Sequence, residues 1–265
     1  MDQSPERGVL APEARDLEGL AEELEDGLVR LTAGGVAGYV GLYPSGDAAA
    51  LEGPLAYREE DLPPLLEAAE GRAREVEVER LYAFPREENR VLRQVLEEAG
   101  FGLLHVTYFF VKRPEGLDHP APEGVRVEEG FPGAGVYREL YRESEESWAL
   151  RLRWTDEELE EHFQDPAVHL LVAYLKGVPV GLAEVELEGG EASVAYIGVV
   201  PEARGKGIGR TLLSEAAKLA RRKGADLLRV RAHDHEKGAL DLYRSLGFSL
   251  EEAVATYAKE LKARR

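Results

Sequence analysis

The chain has 265 residues, a formal net charge of −18 and no cysteine. This length predicts two domains of ordinary size, and the absence of cysteine excludes disulfides, thiolate catalysis and Cys-ligated zinc. The acidic balance argues against nucleic acid or an anionic membrane as the main partner. The sequence has no run of about 20 apolar residues and no signal-peptide core, so we expect a soluble, cytoplasmic protein.

The first half of the chain predicts alternating helices and strands, assigned from the spacing of apolar residues. In chain order these are a helix over 16–30 that extends at least to 26, strands over 36–43 and 48–55, a helix over 62–74, a strand over 75–84, a helix over 89–99 and a strand over 101–111. Prolines and glycines between Arg113 and Gly124 then predict a linker.

The second half predicts a similar alternation. Its elements are strands over 125–127, 168–174, 178–187, 192–200, 227–232 and 253–261, and helices over 137–147, after Thr155, near 212–223 and over 238–246. Thr155 and Glu158 have the spacing of a capping box, and Lys176-Gly177 predicts a hairpin turn between two of the strands.

The most informative stretch joins the strand over 192–200 to the helix that follows it. The connecting turn holds three glycines and three cationic side chains, which are Gly205, Gly207, Gly209, Arg204, Lys206 and Arg210. Glycine lets the backbone approach a ligand closely, and the first N–H groups of a helix lack intrahelical partners. Because an anion is the natural occupant of such a turn, the pattern predicts a diphosphate-binding loop.

The form of this loop narrows the choice of ligand. It matches neither the pattern G-x-x-x-x-G-K-[ST] nor a G-x-G-x-x-G fingerprint with its acidic partner. The order Arg204-x-x-Gly207-x-Gly209 after Val-Val-Pro resembles the acetyl-CoA motif of the GNAT acyltransferases, and the segment from Ala239 to Phe248 is similar to their second motif. The alternative interpretation is an ordinary flexible turn.

The chain also repeats itself. Residues 89–101 run parallel to residues 236–248 at a constant offset, and the elements before them correspond. The resemblance therefore implies an α/β fold with two tandem GNAT-like domains, each a mixed, mostly antiparallel sheet flanked by helices. The first, over 1–113, would be a degenerate copy, and the second, over 120–265, the catalytic domain. Alternatively, any helix-Gly-Phe-strand unit would look like this.

We expect the second copy alone to be active. In the first copy the loop over 55–64 has no glycine and three carboxylates where an anion would lie. Leu96 also stands where the second copy has Tyr243. Both differences remove groups that the chemistry would need.

The resemblance implies where acetyl-CoA binds. Its diphosphate would lie on residues 204–211 and its pantetheine arm on the strand end over 197–200, where a backbone N–H near Val199 polarises the carbonyl. A bulge or splay in the sheet would open this site. Glu236 stands where the family often has Asn. The implied cofactor-binding residues are Ile197, Gly198, Val199, Val200, Arg204, Gly205, Lys206, Gly207, Ile208, Gly209, Arg210, Thr211, Glu236 and Tyr243.

The same resemblance assigns the catalytic groups. Tyr243 takes the general-acid position, and its phenol would protonate the departing thiolate; the alternative is that this tyrosine only packs. Glu184 is the expected base for the amine, with Glu186 on the same side of the strand. The alternative is that both glutamates lie on a solvated outer face.

Two further groups of residues have weaker signals. His233 and His235 have residue types that bind metals, but loop histidines are commoner, and we expect no metal. Trp148, Arg151, Arg153 and Trp154 would border the acceptor site, with tryptophans in the core and solvated arginines as the alternative.

The sequence thus predicts an acetyl-CoA-dependent N-acetyltransferase that moves an acetyl group to a small-molecule or peptide amine by direct attack. We expect no nucleic-acid or membrane partner, and a monomer or homodimer. The alternative is a non-catalytic acyl-CoA-binding regulatory or interaction protein.

Overall fold

The structure is a computed structural model, and it describes residues 27–32, 35–144 and 150–261. Residues 16–26 of the first predicted helix lie outside the described residues, and so does Trp148. None of the described helices combines the length and the apolar character that crossing a membrane requires.

The described residues form eleven strands and six α-helices. The strands are β1 (Gly27–Thr32), β2 (Gly35–Ser45), β3 (Ala48–Ala56), β4 (Arg80–Ala83), β5 (Gly102–Lys112), β6 (Val125–Glu129), β7 (Val168–Leu175), β8 (Val178–Glu188), β9 (Glu191–Val199), β10 (Leu227–His233) and β11 (Ser249–Glu260). The helices are α1 (Leu62–Glu75), α2 (Arg90–Glu98), α3 (Ala134–Glu143), α4 (Asp156–Gln164), α5 (Ile208–Arg222) and α6 (Lys237–Ser245).

Two predicted elements differ from the structure. Residues 27–30, assigned to the end of a helix, form a strand because their backbone pairs with β2. The strand predicted over 75–84 is only four residues long, because α1 continues to Glu75 and Glu77 then turns the chain with a φ of 60°. The capping box at Thr155 is confirmed, since the Thr155 hydroxyl accepts a hydrogen bond from the backbone N–H of Glu158 and the Glu158 carboxylate accepts one from the backbone N–H of Thr155.

The first compact unit contains the described part of residues 1–108, with 233–235 and 252–261. Its strands β1, β2 and β3 are antiparallel, β3 and β4 are parallel, and β4 pairs antiparallel with β11. α1 packs on β2 and β3. Its buried face includes Leu62, Leu65 and Leu66, which have the helical spacing that predicted this helix.

The strand β11 completes the sheet of the first unit although it comes from the other half of the chain. Its register with β4 pairs Tyr257 with Ala83. The Tyr257 hydroxyl donates a hydrogen bond to Glu97 Oε1 (2.6 Å) and accepts one from Arg93 Nε (3.1 Å), which ties β11 to α2. The predicted domains, 1–113 and 120–265, divide the chain into two continuous segments. In the structure, however, most of β11 packs within the first unit.

The second compact unit contains residues 109–232 and 236–251, apart from 145–149. Strands β6 to β9 are antiparallel neighbours, and β9 and β10 are parallel. α5 packs on β6 to β9, α3 on β8 and β9, and α4 on β7. The candidate site residues from Glu184 to Tyr243 all belong to this unit.

Candidate functional site

The strands β9 and β10 pair over only part of their length. Their parallel register joins residues 191–193 to 227–229, while β9 continues to Val199 and β10 to His233. At the paired end, Arg229 contacts both carboxylate oxygens of Glu191 (2.6 and 3.2 Å) and holds the pKa of Glu191 below its usual value. Beyond this clamp no register pair joins the two strands among the described residues, so one edge of β9 lines a wedge.

A bulge lies in the same stretch of β9. Glu184 of β8 pairs with Tyr196, but the next residue, Val185, pairs with Val194, so Ala195 is an extra residue in β9. A bulge of this kind bends the strand and increases its twist. The wedge and the bulge together give β9 the open edge that an extended ligand arm needs.

The glycine turn, which follows a short 3-10 helix at Pro201–Ala203, connects β9 to α5. Gly205 and Gly207 have φ values of 73° and 80°, a left-handed conformation that favours glycine. Gly207 is the N-cap of α5, and no described side chain caps this helix. Its carbonyl accepts hydrogen bonds from the backbone (3.0 Å) and the hydroxyl (3.1 Å) of Thr211. The first N–H groups of α5 are thus presented at the turn, where they can bind an anion.

The three cations of the turn are held by backbone or hydroxyl oxygens. Arg204 donates to the carbonyl oxygens of Val199 (2.9 Å) and Ser144 (3.3 Å). Lys206 donates to the Glu202 carbonyl (2.8 Å), and Arg210 donates to the Ser245 hydroxyl (3.4 Å). These bonds hold the three side chains at the turn, beside the start of α5.

The end of β9 is packed tightly against α3 at Gly198. A Cβ on Gly198 would lie 2.5 Å from both the Ser144 Cβ and the Tyr196 hydroxyl, so only glycine fits. Those two hydroxyls are hydrogen-bonded to each other. Val200 donates its backbone N–H to Val180 (2.9 Å). The role of the Val199 N–H stays a prediction.

Tyr243 lies on α6 and is almost completely buried. Its ring packs against Phe110 and Phe248, each with a centroid distance of 5.9 Å. Its hydroxyl donates a long hydrogen bond to the Arg231 carbonyl (3.4 Å). Burial raises the pKa of the phenol well above its usual value, and the carboxylate of Glu236, at the N-cap of α6, adds to the rise. The phenol therefore keeps its proton throughout the neutral range.

Glu184 is the most buried acidic side chain among the described residues of the second unit. It has no exposed surface, and its Oε1 lies 2.8 Å from Nε2 of His162 on α4. Glu186 is partly exposed. His162, Glu184 and Glu186 each have one atom that could bind a metal, and these three atoms lie within 4.8 Å of one another. For Glu184 the structure excludes the outer-face interpretation.

His162 was missed by sequence reasoning. It lies three residues after the buried Leu159, on the inner face of α4. That inward position on a capped helix was the available signal, but a histidine there fits simple packing equally well.

Two groups of side chains have residue types that bind metals. His162, Glu184 and Glu186 lie close enough together to share a cation, and His162 is hydrogen-bonded to Glu184. His233 lies in the first unit, where its ring packs at a tilt against His105 with centroids 4.3 Å apart and its Nδ1 is 2.9 Å from the Thr107 hydroxyl.

Aromatic side chains surround the region of Glu184. Trp154 contacts the ring of His162 edge-on at 5.2 Å, and its carbonyl accepts a hydrogen bond from Arg138 (2.7 Å). Tyr141 packs against Tyr196 at 4.7 Å. Arg153 is exposed, and the side chain of Arg151 lies outside the described residues, like Trp148.

The chain matches one protein-family model and several known proteins in sequence. The model described as "Acetyltransferase (GNAT) family" matches residues 127–248. A mycothiol acetyltransferase from Thermobispora bispora is 30% identical over 176 residues, which covers 57% of this chain and 57% of that protein. A spermidine N(1)-acetyltransferase from Thermoplasma acidophilum is 29% identical over 123 residues, covering 45% of this chain and 74% of that protein. The first match thus spans little more than half of the relative.

Solved structures with the same fold cover most of the chain. A GCN5-related N-acetyltransferase from Sphaerobacter thermophilus has a TM-score of 0.69 at 19% identity, over 89% of this chain and 80% of that chain. A tandem GNAT protein from the clavulanic acid biosynthesis pathway has a TM-score of 0.64 at 16% identity, over 89% and 84%. At these identities the likeness shows the fold alone.

Proposed function

Residues 127–248 belong to the acetyltransferase (GNAT) family, and on that premise we propose that the chain is an acetyl-CoA-dependent N-acetyltransferase that acts on an amine. The observation that carries the proposal is the meeting of the wedge beside β9 with the glycine turn that begins α5. An open strand edge suits an extended arm, and a helix start suits a diphosphate. Together they fit the two parts of a CoA thioester.

The cofactor contacts follow from this placement. The diphosphate would lie against the N–H groups that open α5, between Gly205 and Thr211, with Arg204, Lys206 and Arg210 around it. The pantetheine arm would pair with β9 from Ile197 to Val200. Glu236, at the start of α6, would face the arm.

The chemistry requires proton movement at two residues. Glu184 takes a proton from the ammonium form of the acceptor, which leaves a nucleophilic amine. Acetyl-CoA supplies an activated thioester, whose acyl carbon bonds to the amine nitrogen as the carbon–sulfur bond breaks. Tyr243 donates its hydroxyl proton to the departing sulfur. After the attack the nitrogen carries one excess proton, which passes to the Tyr243 phenolate and restores the phenol. Glu184 releases the proton that it took to solvent after product release, so one proton is released per amide formed.

For the acceptor we propose only a chemical class and not an individual compound. The names of the two relatives above refer to mycothiol and to N(1) of spermidine, and the carboxylates of Glu184 and Glu186 suit an amine that arrives protonated. We extend this only to a small-molecule or peptide amine. A cytoplasmic location and a monomeric or homodimeric state stay predictions.

A release assay tests the proposal. Free CoA is measured with acetyl-CoA and a panel of polyamines, amino sugars and peptides with free amino groups. We expect amine-dependent CoA release that the Glu184→Gln variant loses by about 10²–10⁴-fold. Tight CoA binding without release on any amine would favour the non-catalytic acyl-CoA-binding protein instead.

A further inference from the structure

His162 has no role in the reaction described above, yet several contacts define its position. Trp154 meets its ring edge-on at 5.2 Å, and Phe163 does so at 4.9 Å. The capping box at Thr155 fixes where α4 begins, and the buried Leu159 anchors the same face one turn earlier. The imidazole is therefore placed by its surroundings.

The hydrogen bond to Glu184 has a defined direction. Nε2 of His162 lies 2.8 Å from Oε1 of Glu184. A carboxylate oxygen only accepts hydrogen bonds, so with an ionised Glu184 the proton belongs to Nε2. Glu184 has no exposed surface, whereas the His162 side chain keeps 19%. An ionised carboxylate buried to this degree is costly unless a donor compensates it, and His162 supplies one.

The base that the reaction needs must be ionised before the amine arrives. We propose that His162 is a positioning residue that donates its Nε2–H to Oε1 of Glu184 and fixes the orientation of that carboxylate toward the acceptor. The inference rests on the proposed function, because it gives His162 a task only if Glu184 removes a proton. The bond moves no atom beyond those of the reaction above, since His162 keeps its proton throughout.

The first test compares two replacements of His162. In His162→Leu the donor is lost, and we expect kcat to fall about 100-fold, near the lower end of what a positioned base contributes. CoA affinity by calorimetry should not change, because His162 is not part of the glycine turn. His162→Gln keeps an N–H donor and should recover most of the loss. Glu160→Leu, an exposed change on the same helix, controls for the added leucine and should behave as wild type.

A double variant separates positioning from simple packing. If His162 acts through Glu184, then His162→Leu added to Glu184→Gln should cost no further activity, because the group that it positions is already gone. A further loss of the full 100-fold, or equal losses in His162→Leu and His162→Gln, would overturn the proposal. So would activity that EDTA abolishes, since the three side chains would then be metal ligands.

The last experiment does not depend on turnover. Nitrogen-15 NMR of the imidazole in the full chain should show a protonated Nε2 at His162 in the wild type and a change at that nitrogen in Glu184→Gln. A ring protonated only at Nδ1 would contradict the inference even in an active enzyme. The expected NMR result with no CoA release on any amine would instead mean that the proposed function fails while the hydrogen bond is real.

Discussion

The two units contain the same strand–helix–strand arrangement but begin their helices with opposite chemistry. In the first unit β3 and β4 are parallel and flank α1, and in the second unit β9 and β10 are parallel and flank α5. In both units the parallel pairing covers only the first part of the earlier strand. The fold thus places a partly paired strand before a helix start twice.

The helix starts explain why only one of them suits an anion. α5 follows a glycine N-cap, whereas α1 follows Asp61, a buried carboxylate bound by Arg58 at 3.1 Å. Pro63 and Pro64 then occupy the first turn of α1, and proline has no N–H to offer. An anion at α1 would meet a fixed negative charge and two missing donors. The comparison teaches that the arrangement persists in both units while binding depends on a few residues of the turn.

The largest effect is expected from a substitution that places a carboxylate at the N-cap of α5, where α1 has Asp61. We expect Gly207→Glu to abolish CoA binding, because the left-handed φ of 80° disfavours a side chain and the carboxylate would occupy the anion position. Calorimetry on wild type should give one CoA per chain and no binding for the variant. Gly71→Glu, where a Cβ meets no atom within 4 Å, is the control in α1. A titration with two CoA per chain would contradict the degenerate first unit.

The second prediction concerns the tyrosine that the first unit lacks. Tyr243→Phe keeps the packing on Phe110 and removes the hydroxyl, so we expect kcat to fall about 10²–10⁴-fold with little change in acetyl-CoA affinity. The matching position in the first unit is the buried Leu96, and Leu96→Met should leave kcat unchanged. Nearly full kcat in Tyr243→Phe with a good acceptor would show that water supplies the proton.

A third prediction sharpens the role of β11 in the first unit. Tyr257→Phe removes the hydrogen bonds to the exposed Glu97 and the half-buried Arg93. This should cost about 0.5–1.5 kcal/mol of stability, the net contribution of a typical intramolecular hydrogen bond, because the partners can bond to water instead. We expect a melting temperature lower by several degrees in differential scanning calorimetry, with unchanged CoA affinity. A loss of CoA affinity of tenfold or more would show that the two units do not divide structure and binding as described.

The smallest expected effect is a dependence of stability on alkaline pH. Burial raises the pKa of Tyr243 in the second unit and of Tyr257 in the first. A group whose pKa is raised by folding contributes stability below its unfolded pKa, about 10 for tyrosine, and that stability is lost as the pH rises further. Melting temperatures should therefore fall between pH 9 and pH 11. Each Tyr→Phe variant should show a shallower fall than wild type, and equal slopes would contradict the prediction.

The sequence was most informative where local pattern determines structure. Glycines before an apolar helix predicted the turn at Gly207, and Thr155 with Glu158 predicted the start of α4. Alternation of apolar residues also predicted β11 as a strand, but it fixes which side chains share a face and not which strand is the neighbour. The pairing of β11 with β4 is a tertiary choice and could not be read from periodicity.

The candidate site was predictable in part for a similar reason. Glu184 was named from its strand, but a glutamate between apolar residues usually marks a solvated face, so its complete burial was not expected. Its partner His162 lies 22 residues earlier in the chain, on α4, and only tertiary packing brings the two side chains together. Pairings across elements of this kind leave no local pattern.

The position of β11 also affects how the protein is made. Synthesis delivers Ala83 long before Ser249, yet the β-strands that contain them must pair to finish the first sheet. At about 5–20 residues per second, the ribosome needs on the order of ten seconds to supply the missing strand. During that interval β4 has an open edge on the nascent chain, so the half that is translated first is the half that must wait to complete its fold.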